Sequence, residues 1–125
     1  MAFLDSFELV NDRERPFITL RERSITFSKS AIELLQFSPF VYMYIDREGR
    51  RVAFQETLED DAAIPFYREP KAGRPVLVRI ADKKKTKILL DLAGVEGSEK
   101  GIRFYGEFME KDRLICFDLS NPEIQ

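Results

Sequence analysis

The chain has 125 residues, of which 44% are hydrophobic and 34% charged, the proportions of one globular domain. It contains no His, no Trp and one Cys, which excludes an intrachain disulfide, His-dependent catalysis and zinc sites built on Cys and His. Twenty basic residues against 22 acidic ones leave a net charge of −2, yet the charge is segregated: residues 15–36 carry +2 and 71–87 carry +6, while 1–14, 55–70 and 91–125 carry −3, −4 and −4.

The opening MAFLDSFELVNDRER places acids where a secretion signal needs a basic start and an apolar middle, and no apolar run approaches the roughly 18 residues that cross a bilayer. A cytoplasmic protein without membrane contact is expected. Residues 7–10, FELV, read as a short strand, and an extended apolar run follows Arg15-Pro16. Ser28 is a suitable N-cap for a short helix in which Ala31, Ile32, Leu34 and Leu35 recur at helical spacing. Val41, Met43 and Ile45 then alternate with Tyr42 and Tyr44, and Asp46-Arg47-Glu48-Gly49 supplies a glycine for a positive-φ turn position of a hairpin. Apolar on both faces, that hairpin is expected to lie between its helix and a second sheet.

Residues 56–73, acidic and with two prolines and a glycine, read as a connecting loop pinned by Ile64, Phe66 and Tyr67. Beyond it the pattern recurs. RPFITLRERSITFSKSAIELLQF (15–37) is echoed by RPVLVRIADKKKTKILLDLAGV (74–95), and YMYIDREGRRVAF (42–54) by YGEFMEKDRLICF (105–117), with Arg50/Arg113, Val52/Ile115 and Phe54/Phe117 in register. Thr86 then stands where Ser28 does, as the N-cap of a second helix carrying Ile88, Leu89, Leu92 and Ala93. Two generic segments of this kind also match by chance at several apolar positions, so duplication and coincidence both remain open here. Phe27, Phe37, Phe54, Phe104 and Phe117 fall at core-phased positions, Cys116 reads as a small core residue, and SNPEIQ (120–125) reads as a frayed tail.

The stretch I-T-F-S-K (25–29), with SAIELL (30–35) behind it and the hairpin VYMYIDREGRRVAF after that, resembles the swapped-hairpin DNA-binding domain of AbrB-like transcription regulators and MazE-like antitoxins. Residues 17–55 carry the likeness, with Ser28 where the family has proline. The resemblance implies two units interlocked around one β core. With both units in one chain, the expected fold is α+β, mostly β: a single domain, 1–125, of two strand-helix-hairpin repeats (about 15–55 and 74–119, joined by loop 56–73) interlocked as a swapped-hairpin-like pseudo-dimer. A lone unit of about 40 residues is too small to bury a sufficient core, and two together are not.

Position by position, the resemblance puts Arg21 and Arg23 in the turn before the motif and Lys29 on the motif lysine, with Arg15 ahead of the first strand. Such groups contact phosphates or guanine edges. Lys83, Lys84, Lys85 and Lys87 are the densest positive run. The plain alternatives are a Lys29–Glu33 helix pair and solubilising lysines. No phosphate loop, calcium loop or nucleophile elbow occurs, so no enzyme activity, cofactor or metal is expected. Two functions fit: a small regulator bound to double-stranded DNA, or a non-catalytic assembly module that binds a protein or itself.

Overall fold

The computed structural model describes residues 15–124, and the FELV segment lies outside the described residues. Among these, nine strands and two helices follow in the order β1 (Phe17–Leu20), β2 (Ile25–Phe27), α1 (Lys29–Leu34), β3 (Phe40–Asp46), β4 (Arg51–Thr57), β5 (Ile64–Pro65), β6 (Val78–Ile80), α2 (Lys83–Ala93), β7 (Ile102–Met109), β8 (Leu114–Asp118) and β9 (Glu123–Ile124). The fold is mostly β with two short helices. All the strands pair antiparallel in one sheet of order β5-β3-β4-β8-β7-β1-β2-β6, a nearly closed barrel whose path ends at β5 and β6. β9 pairs with the first residues of β7, so the expected frayed tail is part of the sheet.

Period-two alternation builds the interior. Ile18 and Leu20, Ile25 and Phe27, Val52 and Phe54, Val78 and Ile80, Ile102 and Phe104, and Ile115 and Phe117 are each at most 5% exposed. Phe66, Phe27, Phe54 and Phe117 form a run of edge-to-face contacts at 4.8, 4.9 and 6.1 Å, each worth about 0.5–1.5 kcal/mol beyond its burial. Phe37 is not in the core: it stands 41% exposed against Tyr67, because the chain turns through positive φ at Gln36 and Phe37 as α1 ends. Residues 56–73 are more than a loop. Ile64 and Pro65 pair with Val41 and Phe40, and buried Phe66 continues the ladder by donating its N–H to the Pro39 carbonyl.

The helices start where side chains satisfy free amides. Ser28 Oγ accepts from Ala31 N at 3.3 Å and from Phe17 N at 3.0 Å, so the cap of α1 also fixes the start of β1. In α2 the cap is Asp82, not Thr86. Asp82 Oδ1 accepts from Lys85 N at 3.1 Å, while Thr86 is buried with its hydroxyl donating to the Asp82 carbonyl at 2.7 Å. A carboxylate at that position also offsets the three lysines of the first turn, which the helix field disfavours. The lysine run is therefore helical, and the strand before α2 is Val78–Ile80. Because Phe27 lies opposite Val78 and Ile25 opposite Ile80, the two helices leave the sheet at opposite ends.

Hairpin tips hold the helix ends. Arg50, at φ 54°, donates from Nε to the Leu92 carbonyl at 2.8 Å and from Nη2 to the Ala93 carbonyl at 2.7 Å. Arg113, also at φ 54°, donates from Nη2 to the Leu34 carbonyl at 3.3 Å and from Nε to Glu56 at 2.8 Å. The positive-φ residue of the β3–β4 hairpin is thus Arg50. Gly49 has no positive φ, and a Cβ there would only push aside the Asp46 carboxylate, which accepts from its N–H. The outer face of β3 is not sandwiched either: Tyr44 is 50% exposed and donates to Gln55, and Tyr42 donates to Asp60.

Loss of the α2 cap gives a direct test. Hydrogen bonds from the Lys85 side chain and amide hold the Asp82 carboxyl below the usual carboxylate range. Its stabilisation is therefore complete above its unfolded pKa of about 3.9 and is lost as pH falls through the lower folded value. Asp82→Ala should lower stability by about 0.5–2 kcal/mol at neutral pH in urea titrations, with the gap to the parent closing below about pH 4.

Candidate nucleic-acid interface

The residues that alternate with the barrel-facing ones on β1, β2, β6 and β7 form an outer face, at whose centre Thr19 is itself covered, 8% exposed. On β1 the outward series is Arg15, Phe17, Thr19, Arg21, since Ile18 and Leu20 point inward. Pairing sets a row across four strands: Arg103 on β7 lies opposite Thr19, Thr19 opposite Thr26, and Thr26 opposite Arg79 on β6. Tyr105 lies opposite Phe17 in the adjoining position. Four arginines and two aromatic rings therefore share one side of the sheet.

Their contacts leave most of their charge uncommitted. Arg21 donates from Nε to the Glu99 carbonyl at 3.1 Å and from Nη1 to Thr26 Oγ1 at 3.3 Å. Arg103 lies over the Phe17 ring at 3.9 Å and donates to the Tyr105 hydroxyl at 3.3 Å, while its buried Nε has no hydrogen-bond partner among the described residues. Arg15 lies over Tyr105 at 5.1 Å. Each such contact is worth about 0.5–1 kcal/mol at an exposed site and leaves the charge un-neutralised. The ion pairs Arg51–Asp46, Lys85–Asp82, Lys87–Asp91 and Arg113–Glu56 use none of Arg15, Arg21 and Arg79, while Arg103 lies opposite Glu123 of β9.

The basic residues singled out in the sequence stand around this face. Arg15, and Lys29 as the exposed first residue of α1, lie beyond the Phe17 and Phe27 ends of β1 and β2. Arg21, exposed Arg23 and the start of α2 lie at the opposite end, beyond Ile25 and Ile80. Lys83 and Lys87 share a cleft there with Glu22, Asp91 and Glu96, which makes that end mixed in charge. Lys84 is exposed, whereas Lys85 is half-buried and paired with Asp82 at 2.8 Å. No Lys29–Glu33 pair is present among the described residues; the i,i+4 pair is Lys87–Asp91 at 3.5 Å. Arg79, Arg103, Phe17 and Tyr105 do not stand out by charge clustering. The Arg15-Phe17-Thr19-Arg21 alternation is a legible signal, but the β7 partners, more than 80 residues away in sequence, are not.

The opposite outer face differs in kind. Ala53 and Cys116 meet at the centre of the β4·β8 ladder, with Tyr44 and Met109, 50% and 47% exposed, on the flanking strands. Cys116 thus points outward between buried Ile115 and Phe117, a correction to its expected core position. It lines a cleft of about 350 Å³ with Arg15, Arg51, Tyr105, Glu107 and Asp118. Partial burial pushes its thiol up from the ordinary value, against the pull of Arg51.

No family model, no curated protein and no solved structure matches this chain. No helix among the described residues is long and apolar enough to cross a membrane.

The environment of Cys116 predicts slow chemistry. At pH 7, alkylation of the native protein by iodoacetamide should run several-fold slower than that of the urea-unfolded chain, as followed by mass spectrometry. Faster labelling of the native state would show an activated thiol.

Proposed function

We propose that the protein is a small nucleic-acid-binding regulator of AbrB-like type that uses the outer face of β7, β1, β2 and β6. The observation that carries this reading is the set of arginines 15, 21, 79 and 103 on one sheet face, of which 15, 21 and 79 are in none of the ion pairs found among the described residues. Arginine forks suit phosphate and base edges, and the intervening Thr26 is uncharged and half-buried, so it adds no repulsion. A local field of this kind attracts a polyanion even in a chain whose total charge is −2.

The same reading includes two interlocked copies of one strand-helix-hairpin unit. Exchanging β1 with β5, β2 with β6, β3 with β7 and β4 with β8 turns every observed neighbour pair of the barrel path into another observed pair, except β1·β2, whose counterpart would be the open β5–β6 seam. The β4·β8 register agrees: Val52 faces Phe117 and Phe54 faces Ile115, the residues the repeat puts in correspondence. Arg50 and Arg113 agree again, each from one half and each bonded to the last turn of the other half's helix. On this correspondence the counterpart of β1 is the short β5, inside what the sequence pattern treats as a linker.

Binding of a random-sequence duplex, followed by fluorescence anisotropy, should weaken steeply as salt rises. Replacing Arg79, whose side chain is exposed, by Ala should reduce the slope of log K against log salt by about 0.9 for each phosphate that the arginine neutralises. Arg47→Ala, at the tip of the β3–β4 hairpin, should leave it unchanged. Absence of binding to duplex and single strand alike at low salt would overturn the reading.

A second reading, self-association, is favoured by the exposed Tyr44 and Met109 beside small Ala53 and Cys116. It predicts a concentration-dependent dimer in sedimentation equilibrium that Met109→Lys abolishes. A monomer at all concentrations would count against it.

A further inference from the structure

We infer that the cleft between Arg15, Phe17, Arg103 and Tyr105 is a stacking site for an unpaired nucleobase, so that this face prefers single-stranded nucleic acid to duplex; the inference rests on the nucleic-acid reading above. Phe17 and Tyr105 are paired residues of β1 and β7 with ring centroids 5.7 Å apart at 61°, both half-buried and both on the outside of the barrel. With the two arginines they enclose an open cleft of about 320 Å³.

Each ring has an arginine at its face: Arg103 at 3.9 Å from the Phe17 centroid and Arg15 at 5.1 Å from that of Tyr105. A guanidinium plane and an aromatic ring both accept the flat face of a base, and the guanidinium edge remains available for the adjoining phosphate. The bases of a duplex are stacked on one another and show the protein only their edges, so they cannot use a recessed ring pair. An unpaired base can.

The surroundings give the strand a direction. On one side the cleft shares Arg15 and Tyr105 with the acidic Glu107 and Asp118, and Glu123 of β9 lies opposite Arg103; these carboxylates repel phosphate. On the other side lie Thr19, Thr26, Arg79 and Arg21. The chain of phosphates therefore runs from the Phe17–Tyr105 pair across β1 and β2 toward Arg79 and Arg21, away from the carboxylates. Packing alone does not account for the two rings, since the interior is filled from the opposite side of the same strands by Ile18, Leu20, Ile102 and Phe104.

Fluorescence anisotropy with a labelled oligothymidylate of about 12 nucleotides, an abasic oligonucleotide of the same length and the corresponding duplex tests this. The wild-type protein should bind oligothymidylate about tenfold more tightly than the abasic strand, and more tightly than the duplex. The Phe17→Leu/Tyr105→Leu variant should bind the oligothymidylate and the abasic strand alike, with the abasic affinity unchanged. Circular dichroism establishes that the variant folds, and Tyr105→Leu alone serves if the double variant does not. Equal affinity of the wild type for oligothymidylate and the abasic strand, a preference for duplex, or discrimination that survives in the variant would overturn the stacking site while leaving the polyanion reading intact. Failure to bind any of the three at low salt would overturn that reading itself.

Discussion

The whole arrangement depends on a two-residue period in β1 and β7. Burying Ile18, Leu20, Ile102 and Phe104 completely or nearly so contributes about 1.5–3 kcal/mol for each side chain. Their neighbours must then face outward. A slip of one residue would put Arg103 and Thr19 into the barrel and Ile18 and Phe104 into water, so the register is strongly enforced. The basic outer face is in this sense a by-product of the core: once the even-numbered side chains are inside, Arg15, Phe17, Thr19 and Arg21 share a side with Arg103 and Tyr105.

The barrel separates two surfaces that the net charge conceals. Outside β7, β1, β2 and β6 the arginines are held by rings, carbonyls and a threonine, with Glu123 of β9 opposite Arg103 and Glu107 further along β7. Outside β3, β4 and β8 the arginines meet carboxylates: Arg51 contacts Asp46 at 2.6 Å and lies opposite Asp118. Exposed ion pairs of this second kind add little stability, but they cancel the field locally.

The helices bury Ile32, Leu35, Leu89 and Leu90 against the sheet, and their ends are fixed by side chains. Ser28 and Asp82 satisfy amides at the starts, and Arg50 and Arg113 satisfy carbonyls at the finishes, each from a hairpin distant in sequence. Cations at helix C-termini also suit the dipole there. Both arginines sit at positive φ, a conformation disfavoured for a residue with a Cβ and one that glycine adopts freely. A glycine in either turn would relieve the backbone but leave the helix carbonyls without these donors.

By itself the sequence determined the features that local periodicity and local chemistry dictate. The Ser28 cap, the spacing of Ala31, Ile32 and Leu34, the two hairpins and the correspondence of Arg50 with Arg113 are all written in neighbouring residues, and the mostly β class comes from them. At the second helix the local pattern points to Thr86, whereas the cap is Asp82 and Thr86 is buried within the helix. Only the tertiary structure decided that two residues inside a proline-bearing acidic stretch make a strand, since the partners of Ile64 and Pro65 belong to β3. It alone turned Cys116 outward and Phe37 into solvent. It alone also brought Arg103 and Tyr105 beside Thr19 and Phe17, because strand neighbours are selected by which buried faces fit around a common core, and that choice leaves no trace in the spacing of the chain.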